Sequence, residues 1–189
     1  PLRELFKDEV RRIGQALGAA FDHDPGVTVA VTAGGAIPYY SRLRTIDMLG
    51  LNDRWVATNG LYLGSRPGHQ RIATFAYLIE RGANLIIAHP LTVDRGADLT
   101  LTRTSVLRFL PMLADWDRLP ADVRILEIPI DAKRKLLALY LVGSSRVDAV
   151  IARHGWRSQA YDLWDAGASA RSEHVQLLQA GTRVHFWAG

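Results

Sequence analysis

Two aspartates, a glycine pair and a scatter of aromatic and histidine side chains are the residues of this 189-residue chain whose types and spacing suit chemistry. Asp47 and Asp53 flank Met48-Leu49-Gly50-Leu51-Asn52, and Asp47 interrupts a β-prone apolar run. A carboxylate at the carboxyl end of a strand lies where open α/β sheets place ligand groups. Both residues also have a structural use: Asp47 as acceptor for backbone or tyrosine donors, Asp53 as cap of a short helix over residues 54–57. Upstream, Ala33-Gly34-Gly35-Ala36 joins a strand to a helix, the arrangement in which backbone N–H groups cradle an anion. It lacks the third glycine of the dinucleotide fingerprint and the Gly-Lys-Ser/Thr of the P-loop, so it reads as a tight turn. No Gly-x-Ser-x-Gly elbow is present to activate a serine.

His23, His69, His89, His154, His174 and His185 form no His-x-x-x-His pair, so the sequence assigns no metal ligands. His69, at an expected helix start, and His89, at an expected strand end, fall near the ligand-facing edge. Five tryptophans and six tyrosines complete the inventory. Tyr39, Tyr40 and Trp55 have ring faces suited to stacking on sugars, although such rings are as commonly half-buried core.

The elements that must hold these residues follow from periodicity. Leu2, Leu5, Phe6, Val10, Ile13, Leu17 and Phe21 recur at helical spacing, with charged residues between them. Residues 27–33 are small or apolar throughout, as in a strand covered on both faces. Pro38 suits the first turn of a short helix carrying Tyr39 and Tyr40. Residues 45–49 read as a second strand ending at Gly50, 60–68 as a loop, and 69–81 as a helix stopped by Gly82. Residues 83–88 form a further buried strand ending at His89-Pro90. Residues 91–105 read as an excursion over the sheet edge, and 106–113 as a short helix. Residues 122–130 and 135–142 predict a hairpin, the second run also fitting a helix. Ser144-Ser145 caps a helix over 146–154, stopped by Gly155. A short helix over 173–179 and a strand over 182–187 end the chain. The alternation predicts one α/β domain over residues 1–189, a three-layer sandwich with a mostly parallel central sheet plus an antiparallel hairpin.

Composition narrows the function classes. Apolar residues are 48% and charged residues 22% of the chain, ordinary for a globular domain with one core. The formal charge is +4, but the 23 Lys and Arg are spread along the sequence, which argues against a nucleic-acid partner. With no cysteine, disulfides and thiolate sites are excluded. No apolar run reaches the roughly 18 residues of a membrane span.

The segment Thr32-Ala33-Gly34-Gly35-Ala36-Ile37-Pro38-Tyr39-Tyr40-Ser41, followed by Thr45-Ile46-Asp47-Met48-Leu49-Gly50-Leu51-Asn52-Asp53, resembles the soluble C-terminal domain of bacterial multi-spanning membrane glycosyltransferases. The likeness is to the actinobacterial arabinofuranosyltransferases and related polyprenyl-phosphate-dependent enzymes. It covers residues 27–90, including Gly68-His69 and Asn84-Leu85-Ile86-Ile87, and the second half only in general character. It implies an extracytoplasmic (periplasmic) domain forming the C-terminal part of a longer membrane protein. The parent enzyme would transfer arabinofuranose, or a related sugar, from a polyprenyl-phosphate donor to cell-envelope glycan. The catalytic carboxylate of that family lies on a loop between membrane helices, so no catalytic residue is carried over and no cofactor is expected within this chain. The expected partners are the glycan acceptor and the membrane-embedded part of the same polypeptide. Tyr39, Tyr40, Asp47, Asp53, Trp55 and His69 are the candidate substrate-binding residues. Two alternatives stand beside this reading: a carbohydrate-binding module without catalysis, and a free-standing α/β enzyme using the Gly34-Gly35 turn and Asp47 on a phosphorylated or sugar substrate.

Overall fold

Strand β1 (Thr28–Val31) is buried at every position, and a strand so placed needs partners on both edges and cover on both faces. A computed structural model, which describes residues 2–96, 115–141 and 143–160, supplies both. β2 (Arg44–Asp47) and β5 (Leu85–Asp94) flank β1 in parallel. β7 (Arg134–Tyr140) then pairs antiparallel with β5, β6 (Arg124–Pro129) with β7, and β8 (Ser158–Ala160) with β6. The order is β2-β1-β5-β7-β6-β8, parallel at one end and antiparallel at the other. The expected β6–β7 hairpin is present, and the strand reading of its second arm holds.

Alternation along the strands divides the core into two clusters. Val29, Val31, Leu85, Ile87, Leu136 and Tyr140 pack on one face with residues of α1 (Leu2–Ala20), α2 (Ala36–Ser41) and α5 (Ser145–His154). Ala30, Ile86, Leu137 and Leu139 pack on the other, with residues of α3 (Arg54–Asn59) and α4 (Phe75–Glu80). The second face also carries a two-stranded antiparallel sheet of β3 (Leu61–Tyr62) and β4 (Arg71–Ile72). This is the three-layer α/β arrangement the alternation implies. On α1, Gly14 allows close approach of α2, since a Cβ there would stand 2.8 Å from the Tyr40 Cβ.

Three expectations are corrected. The helix over 69–81 shrinks to α4, because Arg71 and Ile72 pair with Tyr62 and Leu61 and Thr74 caps the helix by accepting from the Tyr77 N–H. His69 therefore lies in the turn before β4. The loop over 60–68 contains β3. The strand expected to stop at residue 88 continues to Asp94, with a register shift between Ile86 and Leu91 and Ala88 at φ +50°. That irregularity accommodates Pro90, which has no N–H for a regular ladder. Pro38 stands in the first turn of α2, as expected. The calls over 106–113, 173–179 and 182–187 lie outside the described residues, as does most of the 91–105 excursion.

Ser144 and Gly155 bound α5 as expected, Ser144 Oγ accepting from the Val147 N–H and Gly155 adopting φ +61°. At the start of α5 the Tyr140 hydroxyl donates to Asp148 at 2.7 Å. Burial foremost, and then this bond, push the Tyr140 hydroxyl up to about 12. A phenol whose folded value is raised contributes stability that is complete below its ordinary value near 10 and is lost as pH climbs through the folded value. The expected result is a loss of thermal stability between about pH 10 and 12 that is smaller in Tyr140→Phe. Equal alkaline slopes in melting curves of the two proteins would remove this assignment.

Candidate functional site

The carboxyl ends of β1 and β2 carry the chain's most unusual sequence, and the structure brings much of it together. Asp47 ends β2, is 5% exposed, and faces the glycine turn: a Cβ on Gly34 would stand 3.0 Å from the Asp47 carboxyl carbon. A side chain there would press on the carboxylate and force it to move by a few tenths of an ångström. The carboxylate accepts from the backbone N–H of Leu49 at 3.0 Å and of Asn52 at 2.8 Å, and from the Asn52 amide at 3.3 Å. Asp47 thus closes the loop over 48–52, the backbone-acceptor role weighed for it, and its donors come from Leu49 and Asn52. A negative charge against Gly34 also makes the glycine turn a poor seat for a phosphate, since like charges at this range repel. Gly50 completes the loop at φ +76°, where a Cβ would come within 2.6 Å of the Ala57 N.

Asp53 caps α3, accepting from the Val56 N–H at 3.1 Å. It also accepts from the Tyr77 hydroxyl, at 3.0 and 2.8 Å from its two oxygens. Burial, then the bond to Asp53 and its charge, raise the Tyr77 hydroxyl above its ordinary value, so it stays a neutral donor. Trp55 stacks on the Tyr77 ring with centroids 4.0 Å apart and planes 2° apart. The Arg81 guanidinium carbon lies 6.0 Å from the Tyr77 ring centre. Tyr77 is nearly buried, whereas Trp55 is 42% exposed. Asn52, Asp53, Arg54, Trp55, Tyr77, Glu80 and Arg81 line an open cleft of about 410 Å³. Asp53 orients Tyr77, Tyr77 fixes the plane of Trp55, and Trp55 offers a preoriented aromatic surface to solvent.

The other expected residues lie apart from this cleft. Tyr39 is 74% exposed and meets Tyr40 edge to face at 5.0 Å, on the side of the sheet that carries α1. His69 Nδ1 is 3.3 Å from the Pro67 carbonyl. Tyr77 and Arg81 were not singled out by sequence, because both fall inside the expected helix over 69–81 with no local motif to set them apart. The signal that would have found it is a tyrosine three residues after a helix-capping threonine, facing a second helix-capping acid. Among the described residues no group of three or more His, Asp or Glu is placed to hold a metal ion.

The fold and cleft define an α/β domain with an aromatic cleft beside the carboxyl end of its parallel strands. The chain belongs to the family described as Domain of unknown function (DUF8728), whose model matches residues 3–140. It is also similar to part of a GMP synthase [glutamine-hydrolyzing] of Chlorobium phaeobacteroides, 32% identical over 130 residues, which is 65% of this chain and 23% of that protein. A GMP synthase [glutamine-hydrolyzing] of Synechocystis is 27% identical over 135 residues, 65% of this chain and 22% of that protein. The chain thus spans less than a quarter of the length of these curated relatives. No solved structure gives a significant match.

Proposed function

We propose that this domain serves a polyprenyl-phosphate-dependent membrane glycosyltransferase on the extracytoplasmic side, holding the cell-envelope glycan acceptor while the membrane-embedded part of the polypeptide transfers arabinofuranose or a related sugar. The observation that carries the acceptor role is the Trp55–Tyr77 stack. A rigid, half-exposed indole beside Asn52, Arg54, Glu80 and Arg81 suits a sugar ring, which stacks its C–H face on the aromatic and turns its hydroxyls to polar neighbours. The motif from Thr32 to Asp53 supports the parentage. Asp47 and Asp53 serve it by shaping the cleft, their oxygens being engaged by backbone and tyrosine donors. Among the described residues no helix is long and apolar enough to cross a membrane.

Calorimetric titration with arabinan and galactan fragments tests the acceptor role. Saturable binding is expected, weakened about tenfold in Trp55→Ala and little changed in Trp55→Phe, since the flat ring is what stacks. Absence of saturable heat with either glycan would overturn it. Binding without any transferase parent would leave the carbohydrate-binding module in its place.

The similarity to GMP synthases favours a second reading, a site for a purine nucleotide or for glutamine. The chain has no cysteine to supply a thiolate for amide hydrolysis, and the Asp47 carboxylate sits under the glycine turn where a phosphate would lie. Saturable binding of GMP, with none of glycan, would replace the first reading by this one.

A further inference from the structure

One further acid stands outside the Trp55 cleft and holds the helix that builds it. α4 brings Tyr77 and Glu80 to the cleft, with Arg81 just after its last residue, yet it is only six residues long, too short to be stable by itself. The first N–H groups of a helix have no partner within it. Thr74 Oγ1 takes the Tyr77 N–H at 3.2 Å, as the local cap. The Phe75 and Ala76 N–H groups both donate to Asp115, one to each carboxylate oxygen, at 2.9 Å. Asp115 stands 40 residues beyond Phe75 and does not line the cleft.

Asp115 is itself anchored. Its carbonyl accepts from the Arg118 N–H at 3.0 Å, which closes a 3₁₀ turn over Trp116–Arg118. Leu119, next in the chain, is buried in the core cluster that also holds Phe75, Tyr77 and Leu78. The carboxylate thus presents two charged acceptors from a fixed base to the positive end of α4. Burial of Phe75 and Leu78 keeps α4 on the sheet, but apolar burial is not directional. The pair of N–H bonds is directional, and the turn that they fix carries Tyr77. From there the contacts run on without a gap: the Tyr77 hydroxyl donates to Asp53 at 2.8 Å, and the Tyr77 ring stacks on Trp55 at 4.0 Å.

We propose that Asp115 is a positioning residue for the Trp55 cleft: it sets the first turn of α4 and, through Tyr77, the plane and the mobility of the indole. A side chain held in its binding orientation loses less freedom when a ligand arrives, so affinity depends on such support. The effect on glycan affinity rests on the acceptor role proposed above, whereas the effect on the indole does not.

The test uses the full chain labelled with fluorotryptophan, the Trp55 signal in fluorine NMR being assigned by its loss in Trp55→Phe. Asp115→Ala is expected to shift or broaden the Trp55 signal and to weaken binding of arabinan fragments about fivefold in calorimetry. Asp115→Asn keeps one acceptor oxygen and is expected to fall between the two proteins in both readouts. Lys135→Ala, which breaks a buried ion pair in the β6–β7 hairpin, is the control for destabilisation as such, and its folded fraction is expected to keep the parental Trp55 signal and affinity. An unmoved Trp55 signal in folded Asp115→Ala would overturn the proposal, as would an equal change in Lys135→Ala or parental affinity in a variant of a parent that binds. Failure of the parent to bind glycan would remove the acceptor role alone, because the fluorine signal reads the indole without ligand and still decides the role of Asp115.

Discussion

Replacing Lys135 with alanine is expected to destabilise the domain by about 3 kcal/mol, read from urea unfolding with the m-value unchanged. Lys135 Nζ lies 2.7 Å from Glu127 Oε2 on the β6–β7 hairpin, and both side chains are about 5% exposed. Without the ammonium, the carboxylate keeps the Gln159 amide at 2.8 Å and the Arg157 guanidinium at 3.8 Å. Arg157 is half exposed, so its attraction is screened and cannot replace a buried cation. Breaking one side of a buried pair typically costs about 3–5 kcal/mol, and the residual partners place this site near the lower end. The double variant Glu127→Gln, Lys135→Met removes both charges and is expected to recover most of the loss. For a domain of this size about 3 kcal/mol corresponds to a melting temperature lower by roughly 6–12 °C. A single variant within 1 kcal/mol of the parent would show that the pair is not sealed from water.

Asp47→Ala is expected to cost about 3 kcal/mol and to weaken glycan binding although Asp47 does not line the cleft. Its carboxylate satisfies the N–H groups of Leu49 and Asn52, and these fix the loop that leads directly into Asp53, Arg54 and Trp55. Alanine leaves both donors without their acceptor in a partly buried setting. Asparagine keeps one acceptor oxygen and no charge, so Asp47→Asn is expected to recover about half of the stability. Hydrogen exchange supplies the check, with the Leu49 and Asn52 amides exchanging faster in the alanine variant than in the parent. Unchanged protection there would mean that the loop is held by its packing and not by Asp47.

The parts of this fold that could be read from sequence are those where one pattern persists over many residues. The α1 periodicity, the uniformly buried β1, the β6–β7 hairpin around Asp131 and the Ser144-to-Gly155 frame of α5 all have that property. β3 and β4 have two residues each, too few to show a period, and their pairing depends on a loop that folds back on itself. β5 was cut short because proline ordinarily ends a strand, whereas here the ladder shifts register around it. The caps were legible at Asp53, since an acid before a short helical run has a local meaning. The cleft was half legible. Trp55 and Asp53 stood out individually, but their partner Tyr77 is 24 residues beyond Asp53, and only the packing of α3 beside α4 brings the hydroxyl to the carboxylate. The Glu127–Lys135 pair left a local trace, an acid in the apolar run of β6 and a lysine one residue into β7.

β5 is the strand that the two halves of the sheet share. Leu85 and Ile86 pair with β1 on one side and with β7 on the other, while Leu91–Asp94 continue along β7 alone. The carbonyl of Ala88, at the kink, accepts from both the backbone N–H and the hydroxyl of Thr32, at the mouth of the glycine turn. No line of cleavage therefore separates the glycine-turn end from the hairpin end without breaking β5. The domain should melt as one cooperative block, and damage in the hairpin should reach the cleft as a change in how often it is intact rather than in its shape.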